Sequence, residues 1–248
     1  MNREEYKVLL ISDFTVDNLA GLLNNDKQFP RIKSVVAPFG QVDQVMINKD
    51  FDCWKENPDL AVVWTRPEAV SEAFNRLKDY QQVPLDEVLA EVDQVSSNLL
   101  NMAGGLKAVF VNTWVMPAYY RGLGMLDMKD GSGIANILMQ MNLKLAENVK
   151  DAKDIYILNT QKWIELIGKK AFDPRLWYMG KIAFSNEVFM EAVKDIKAGL
   201  QGILGKAKKL IVLDLDETLW GGIVGDIGWQ NINLGGHDPI GEAYVDFQ

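Results

Sequence analysis

Several short runs of the sequence are almost entirely apolar, and this pattern limits the fold more than any other feature. Strands that are covered on both faces of a sheet show no polar alternation, and parallel sheets are usually covered in this way. We therefore predict strands over residues 7–12, 34–37, 60–65, 107–112, 154–158 and 210–215.

Longer amphipathic stretches separate these runs. The spacing of their apolar residues predicts helices over residues 17–24, 68–80, 85–103, 133–148, 161–168 and 187–204. Strands that alternate with helices are typical of βαβ units. The predicted fold class is therefore α/β, with an open, mostly parallel, flavodoxin-like sheet and helices on its faces.

A change of composition near residue 205 indicates a domain boundary, since a lysine-rich segment leads there into a new apolar run. We place the first domain at residues 1–205 and the second at residues 206–248. In the second domain, the glycine-punctuated segment 220–229 predicts a β-hairpin or flap.

The end of the sequence predicts one more helix. Asp238 before Pro239 has the pattern of an N-cap followed by the first helical residue. The apolar face of this helix has no partner and no C-cap follows it, so we expect the second domain to be incomplete.

The charge and hydropathy of the chain exclude two classes of protein. It has 26 Lys+Arg against 34 Asp+Glu and a net charge of −8, which argues against a nucleic-acid-binding module. No apolar run reaches 18 residues, and the apolar stretch 8–11 is too short for a signal peptide. We expect a cytoplasmic protein without a membrane-spanning segment.

Cysteine and histidine each occur once, as Cys53 and His237. A single cysteine excludes an intrachain disulfide framework and a cysteine-rich zinc site. Any Ser-His-Asp or Cys-His mechanism in this chain must use His237 or be absent.

Two carboxylates, Asp214 and Asp216, lie two residues apart where the predicted strand 210–215 ends. Open α/β sheets bind ligands at that edge. One aspartate can attack a phosphoryl group while the other acts as general acid and base. Such a pair also attracts Mg²⁺, and Thr218 can hold the loop by bonding to the backbone. An ordinary acidic turn is the alternative interpretation.

This segment resembles the first motif of the haloacid dehalogenase (HAD) superfamily, four hydrophobic residues followed by Asp-x-Asp-x-Thr/Val. The resemblance implies a Rossmann-like domain in which Asp214 is the nucleophile that forms an aspartyl-phosphate and Asp216 is the acid/base. It also implies Mg²⁺ held by the Asp214 side chain and the Asp216 carbonyl. The superfamily's phosphate-binding Ser/Thr, its Lys and a further acidic pair lie downstream of this motif. We expect residues 1–248 alone to be inactive and the full-length parent to be the enzyme.

Segments 213–226 and 241–248 resemble a narrower group, the FkbH-like proteins, and residues 12–15 and 173–178 resemble that group's N-terminal half. FkbH-like proteins are associated with loading a glyceryl unit from bisphosphoglycerate onto an acyl carrier protein, and relatives occur in polyketide and polysaccharide gene clusters. The resemblance therefore implies a phosphatase or phosphotransferase that acts on a small phosphorylated metabolite, with an acyl carrier protein as a further partner.

The N-terminal domains of FkbH-like proteins are similar in fold to SGNH-type esterases. The resemblance places Ser12 at the nucleophile position and Asn112 at the oxyanion position. The catalytic Asp-x-x-His corresponds to residues 173–176, which end in Leu176 instead of histidine. We therefore expect a hydrolase fold that binds a carrier protein or a saccharide and does not cleave, with Ser12 alternatively a strand-end cap. An active SGNH esterase is the third hypothesis.

Overall fold

A computed structural model describes residues 5–236 and 238–248, so His237 lies outside the described residues. The chain divides into two compact units. The first, here called the sheet unit, ends at Leu204, and the second, the C-terminal unit, comprises Gly205–Gln248. Each is described by itself.

The sheet unit is built on a five-stranded parallel sheet in the order β2-β1-β3-β4-β5. This architecture confirms the predicted fold class. From β1 the chain moves to one edge of the sheet and then returns to continue on the other side, which makes a topological switch point between β1 and β3. The strands are β1 (Glu5–Ser12), β2 (Arg31–Val36), β3 (Leu60–Trp64), β4 (Ala108–Asn112) and β5 (Ile155–Leu158).

Helices cover both faces of this sheet. They are α1 (Asp17–Asn25), α2 (Val42–Ile47), α3 (Asp52–Lys55), α4 (Pro67–Val70), α5 (Glu72–Lys78), α6 (Leu85–Ala103), α7 (Ile134–Val149), α8 (Thr160–Ile167), α9 (Pro174–Gly180) and α10 (Asn186–Ile203). Short 3₁₀ turns occur at Gly124–Leu126 and Gly168–Ala171.

The helix predicted over residues 68–80 is interrupted at Ser71. The backbone of Ser71 is extended, and its hydroxyl oxygen accepts the N–H of Phe74 at 2.9 Å. A serine that caps a helix in this way starts a new one, because it satisfies a backbone donor that lacks an intrahelical partner. The chain therefore forms α4 and α5 as two helices.

Alternate residues of each central strand face opposite layers of helices. Leu9 and Ile11 of β1 belong to a core that includes residues of α6 and α7. Val8 and Leu10 belong to a second core that includes residues of α1, α8 and α10. The central strands are thus buried on both sides, which is the reason for their uninterrupted apolar sequence.

The strand predicted over residues 210–215 is not formed, and this prediction was wrong. The segment has no regular secondary structure, it bends at Leu215, and its apolar side chains are exposed. A strand needs neighbouring strands to satisfy its backbone groups, and none of the described strands lies alongside this one. An apolar sequence alone does not produce that pairing.

The predicted hairpin over residues 220–229 was also wrong, because a short helix, α11 (Val224–Ile227), occupies that segment. Gly221 instead forms an isolated antiparallel bridge with Asn233, with both backbone hydrogen bonds in place. The last predicted helix is present as α12 (Pro239–Phe247), and Asp238 caps it by accepting two backbone N–H groups at 2.9 Å.

None of the described helices is both long and apolar enough to cross a membrane.

A buried lysine of α10 joins that helix to the loop between α1 and β2. The Lys197 ammonium nitrogen lies 2.7 Å from Asp26 Oδ2 and donates to the Gln28 carbonyl oxygen at 2.7 Å. The hydrogen bond from Lys197 is the main cause that lowers the pKa of the Asp26 carboxyl below its ordinary 3.8. The stabilisation is therefore present above this ordinary value and is lost as the pH falls through the lower pKa of the folded state.

We expect Lys197→Met to lower the free energy of unfolding by about 1 kcal/mol at pH 7, because Asp26 loses its cation while most apolar packing is kept. The difference from wild type should shrink as the pH falls below 3.8. Urea unfolding followed by tryptophan fluorescence measures both effects. Lys194→Met is the matched control, since Lys194 is exposed on the same helix. An equal loss in both variants, or a loss independent of pH, would contradict this interpretation.

Candidate functional site

The sheet unit presents its polar strand-end residues at the carboxyl edge of the sheet. Ser12 ends β1 and is the register partner of Trp64, which ends β3, while Asn112 ends β4. The alternation along each strand places all three on the same face, toward α8 and α10. Since β3 lies between β1 and β4, the Trp64 position separates Ser12 from Asn112 in the strand order.

Ser12 closes its strand with a local turn. The residue is 6% exposed, and its hydroxyl oxygen accepts the backbone N–H of Phe14 at 3.2 Å. Serine commonly bonds to the backbone two residues ahead in this way. The sequence supplies no histidine between residues 5 and 236 that could activate this hydroxyl as a nucleophile.

Asn112 is buried, with only 1% of the residue exposed to solvent. Its amide nitrogen donates to the Thr160 hydroxyl at 3.4 Å, and its Oδ1 is buried without a hydrogen-bond partner among the described residues. The indole nitrogen of Trp64 is likewise buried and unpartnered there. An oxyanion hole requires a donor that points at the substrate, and the Asn112 amide points at Thr160 instead.

An ion pair that the sequence did not predict joins the ends of β1 and β3. Asp13 Oδ1 accepts the backbone N–H of Arg66 at 2.8 Å, and Oδ2 accepts its Nε at 2.7 Å. The Asp13 side chain is 8% exposed. Burial raises the pKa of the Asp13 carboxyl, and the opposing charge of Arg66 only partly offsets this effect.

A cavity of about 220 Å³ opens beside this ion pair. Arg66 lies in its wall, with the guanidinium carbon 3.9 Å from the ring centre of Trp177. Lys78 and Glu68 form an ion pair there at 2.5 Å. The remaining lining residues are mostly apolar or aromatic, namely Val115, Met116, Pro117, Tyr119, Tyr120, Phe172, Asp173, Tyr178, Ala183 and Phe184.

Asp173 is the first residue of the segment that corresponds to Asp-x-x-His, and both of its carboxylate oxygens accept hydrogen bonds from Arg175. It caps α9 by accepting the Arg175 backbone N–H at 2.9 Å, and it forms an ion pair with the Arg175 guanidinium at 2.8 Å. The hydrogen bonds from Arg175 lower the pKa of the Asp173 carboxyl. Three residues later, Leu176 offers no titratable group, so this segment supplies no catalytic base.

In the C-terminal unit, Asp214 and Asp216 lie in an irregular turn. Asp214 is exposed, and its Oδ1 accepts the N–H of Leu215 at 2.8 Å. Asp216 is partly buried, and its Oδ1 accepts the Trp220 indole N–H at 2.9 Å and the Val224 backbone N–H at 3.1 Å. Asp216 is therefore held in one orientation by donors that lie beyond the sequence motif.

Thr218 takes part in this turn through its backbone. Its N–H donates to the Leu215 carbonyl oxygen at 3.3 Å. Its hydroxyl forms no hydrogen bond with any residue in the described ranges, so the predicted side-chain support of the loop is not observed there. Glu217 instead bonds to the backbone N–H of Gly222 at 2.8 Å.

The carboxylate pair can provide part of a magnesium site. Mg²⁺ prefers hard oxygen ligands and is commonly held by one or two carboxylates, with waters and substrate phosphates completing its coordination. Asp214 and Asp216 are donors of this kind, although one oxygen of Asp216 already accepts two N–H groups. Across residues 5–236 and 238–248, no cluster of three or more His, Cys, Asp or Glu could hold a metal by itself.

Known structures share the fold of this chain. The N-terminal part of protein BF1531 from Bacteroides fragilis, which contains a phosphatase domain and is complexed with Mg, superposes with a TM-score of 0.81 at 23% identity. The match covers 98% of this chain and 64% of that one, so the chain spans less than two thirds of its length.

Two catalytic mutants of Axe2, an acetylxylan esterase from Geobacillus stearothermophilus, superpose with TM-scores of 0.50. Their identities are 15% and 14%, and the matches cover 82% and 84% of this chain and 95% and 97% of theirs. At these identities the likeness shows the α/β fold alone.

Sequence comparison gives the family. No curated protein matches the chain. The family model of the FkbH N-terminal domain matches residues 24–197, which is more than half of the chain. The predicted resemblance is thereby confirmed, and the chain belongs to the family of FkbH N-terminal domains.

Proposed function

We propose that the protein carrying this sequence performs phosphoryl chemistry through the Asp214–Asp216 turn. The observation that supports this most is the unequal environment of the two carboxylates. Asp216 is fixed by the Trp220 and Val224 N–H groups, whereas Asp214 is exposed to an incoming substrate. The family of the chain and the phosphatase domain in the similar Bacteroides protein agree with this proposal.

The two carboxylates have different roles in the proposed reaction. A carboxylate oxygen of Asp214 forms a bond to phosphorus, and the bond between phosphorus and the leaving oxygen breaks. Asp216 donates a proton to that leaving oxygen. Asp216 then takes a proton from a water molecule that attacks the same phosphorus, so that the bond between Asp214 and phosphorus breaks, inorganic phosphate leaves and the Asp214 carboxylate is regenerated.

Asp214 and Asp216 would hold Mg²⁺, which when bound neutralises charge on the substrate phosphate. The proposed substrate is a small phosphorylated metabolite. Transfer of a glyceryl unit from such a metabolite to an acyl carrier protein is the more specific form of the proposal, and it makes the carrier protein a partner.

Substitution of the acid pair tests the proposal in the natural full-length protein. We expect Asp214→Asn to lower the Mg²⁺-dependent hydrolysis of p-nitrophenyl phosphate by about 10³-fold or more, because the nucleophile is lost. Asp216→Asn should lower it by about 10²- to 10⁴-fold, the usual contribution of a general acid and base.

Asp226→Asn is the matched control, since Asp226 is an exposed acid of the same unit. Residues 1–248 assayed alone should give no turnover. Full activity of either active-site variant, or turnover by residues 1–248, would contradict the assignment.

A second candidate function is recognition of a ligand by the sheet unit without hydrolysis. It is favoured by the environment of Ser12, whose hydroxyl is engaged in a turn, and by Leu176 where the base of an esterase would lie. A fold that hosts hydrolases can lose the reaction and retain binding. The carrier protein or a saccharide would be recognised at the carboxyl edge.

Serine reactivity distinguishes this function from an esterase. We expect a fluorophosphonate probe to leave Ser12 unlabelled, because residues 5–236 contain no histidine to activate it. Hydrolysis of p-nitrophenyl acetate should be at background in the wild type and unchanged in Ser12→Ala. Intact-protein mass spectrometry measures the labelling, and stoichiometric attachment at Ser12 would establish an active esterase instead.

A further inference from the structure

We propose that the carboxyl-edge cavity of the sheet unit binds a small organic oxyanion, a carboxylate or a phosphate ester, through the guanidinium of Arg66. This inference rests on the second candidate function, ligand recognition by the sheet unit. It does not depend on the Asp214–Asp216 turn.

The Arg66 guanidinium is held in position from two sides. Its Nε donates to Asp13 at 2.7 Å, and its guanidinium carbon lies over the Trp177 ring, 3.9 Å from the ring centre. Its two terminal nitrogens form no hydrogen bond with any residue that the structure describes. The side chain is 27% exposed and lines the cavity. A fixed guanidinium with unused terminal donors matches the two oxygens of a carboxylate or phosphate.

The rest of the cavity fits a ligand with an apolar body. Val115, Phe172 and Phe184 line it with apolar surface, and Tyr178, which is 78% exposed, lies in the same wall. Its volume of about 220 Å³ is below the roughly 300–1,000 Å³ typical of drug-sized ligands, so the ligand must be small.

Two neighbouring tyrosines, Tyr119 and Tyr120, also line the cavity. The hydroxyl of Tyr120 is buried without a partner among the described residues, which is unusual for a buried polar atom. Burial raises the pKa of Tyr119 and of Tyr120, so both phenols remain protonated and can donate. Tyr119 is 54% exposed, so its phenol, unlike that of Tyr120, is open to an oxyanion bound in the cavity.

Charge balance predicts a modest affinity. Asp13 compensates the charge of Arg66, and Glu68 compensates that of Lys78. Recognition therefore depends on the direction of the Arg66 donors and less on a net positive field. For this reason we expect that a lysine at position 66, which keeps the charge but has no planar fork, cannot replace the arginine.

Titration of the full 1–248 chain with two ring-bearing anions tests the proposal. Sodium benzoate carries a carboxylate and phenyl phosphate carries a phosphate, while benzyl alcohol is the neutral control. The indole N–H signal of Trp177, assigned with Trp177→Phe, should shift and saturate with at least one anion and not with the alcohol. The anion that binds more tightly identifies the ligand's acidic group.

Two variants locate the binding. Arg66→Lys should weaken binding by about tenfold or more, since it removes charge-assisted hydrogen bonds. Arg76 lies outside the cavity, so the control variant Arg76→Lys should bind the anion as tightly as the wild type does. Tyr119→Phe removes only the hydroxyl of an exposed phenol, so it should fold normally and weaken binding by about threefold or more. It provides the test if Arg66→Lys fails to fold.

The proposal would be overturned if neither anion shifted the Trp177 signal, if benzyl alcohol bound as tightly, or if both Arg66→Lys and Tyr119→Phe bound normally. The phosphatase assay and the anion titration test different sites. Unchanged phosphatase activity in the Asp214 variants would say nothing about anion binding at Arg66, and the absence of anion binding would say nothing about phosphoryl chemistry at Asp214.

Discussion

The burial of both faces of the parallel sheet is the constraint on which the sheet unit depends. β1, β3 and β4 lie between two layers of helices, and their side chains belong alternately to two apolar cores. Polar groups cannot be placed along such strands without a large desolvation cost. They occur instead where the strands end, and for this reason Ser12, Asp13, Arg66 and Asn112 lie at one edge. The Asp13–Arg66 ion pair lies at this edge, at the switch point between β1 and β3, and it holds the Arg66 side chain that lines the cavity.

The sequence was sufficient to predict the elements whose signals are local. The strands β1, β3, β4 and β5 and the helix Leu85–Ala103 follow from apolar runs and helical periodicity. The edge strand β2 was predicted over residues 34–37 but spans Arg31–Val36, because its first half carries polar residues and shows no apolar run. Short helices such as α2, α3 and α9 were missed, because four to seven residues hold too little periodicity to be distinguished from a loop. The segment 210–215 has the composition of a strand, but pairing depends on neighbouring strands, which its own sequence cannot specify.

The residues of the candidate sites likewise form two groups, those that a local sequence motif predicts and those that only the fold brings together. Asp214 and Asp216 were found because two carboxylates at a fixed spacing form a local motif. The donors that orient Asp216, Trp220 and Val224, were missed, because they come from the turn that follows the motif. Arg66 and Trp177 were missed for a stronger reason, since they are 111 positions apart in the sequence and only the fold brings them into contact. Leu176, which stands where an esterase has its histidine, is visible in the sequence itself and limits the chemistry of the sheet unit.

The central claim is that covalent chemistry takes place at Asp214 while the hydrolase-like sheet unit does not react. Borohydride trapping of the natural full-length protein during turnover of a phosphomonoester, followed by peptide mass spectrometry, tests it most directly, because an aspartyl-phosphate is reduced at the residue that carried it. We expect the reduced residue at position 214 and an unmodified Ser12. Sustained turnover with modification at Ser12, or with no modification at Asp214, would contradict the claim.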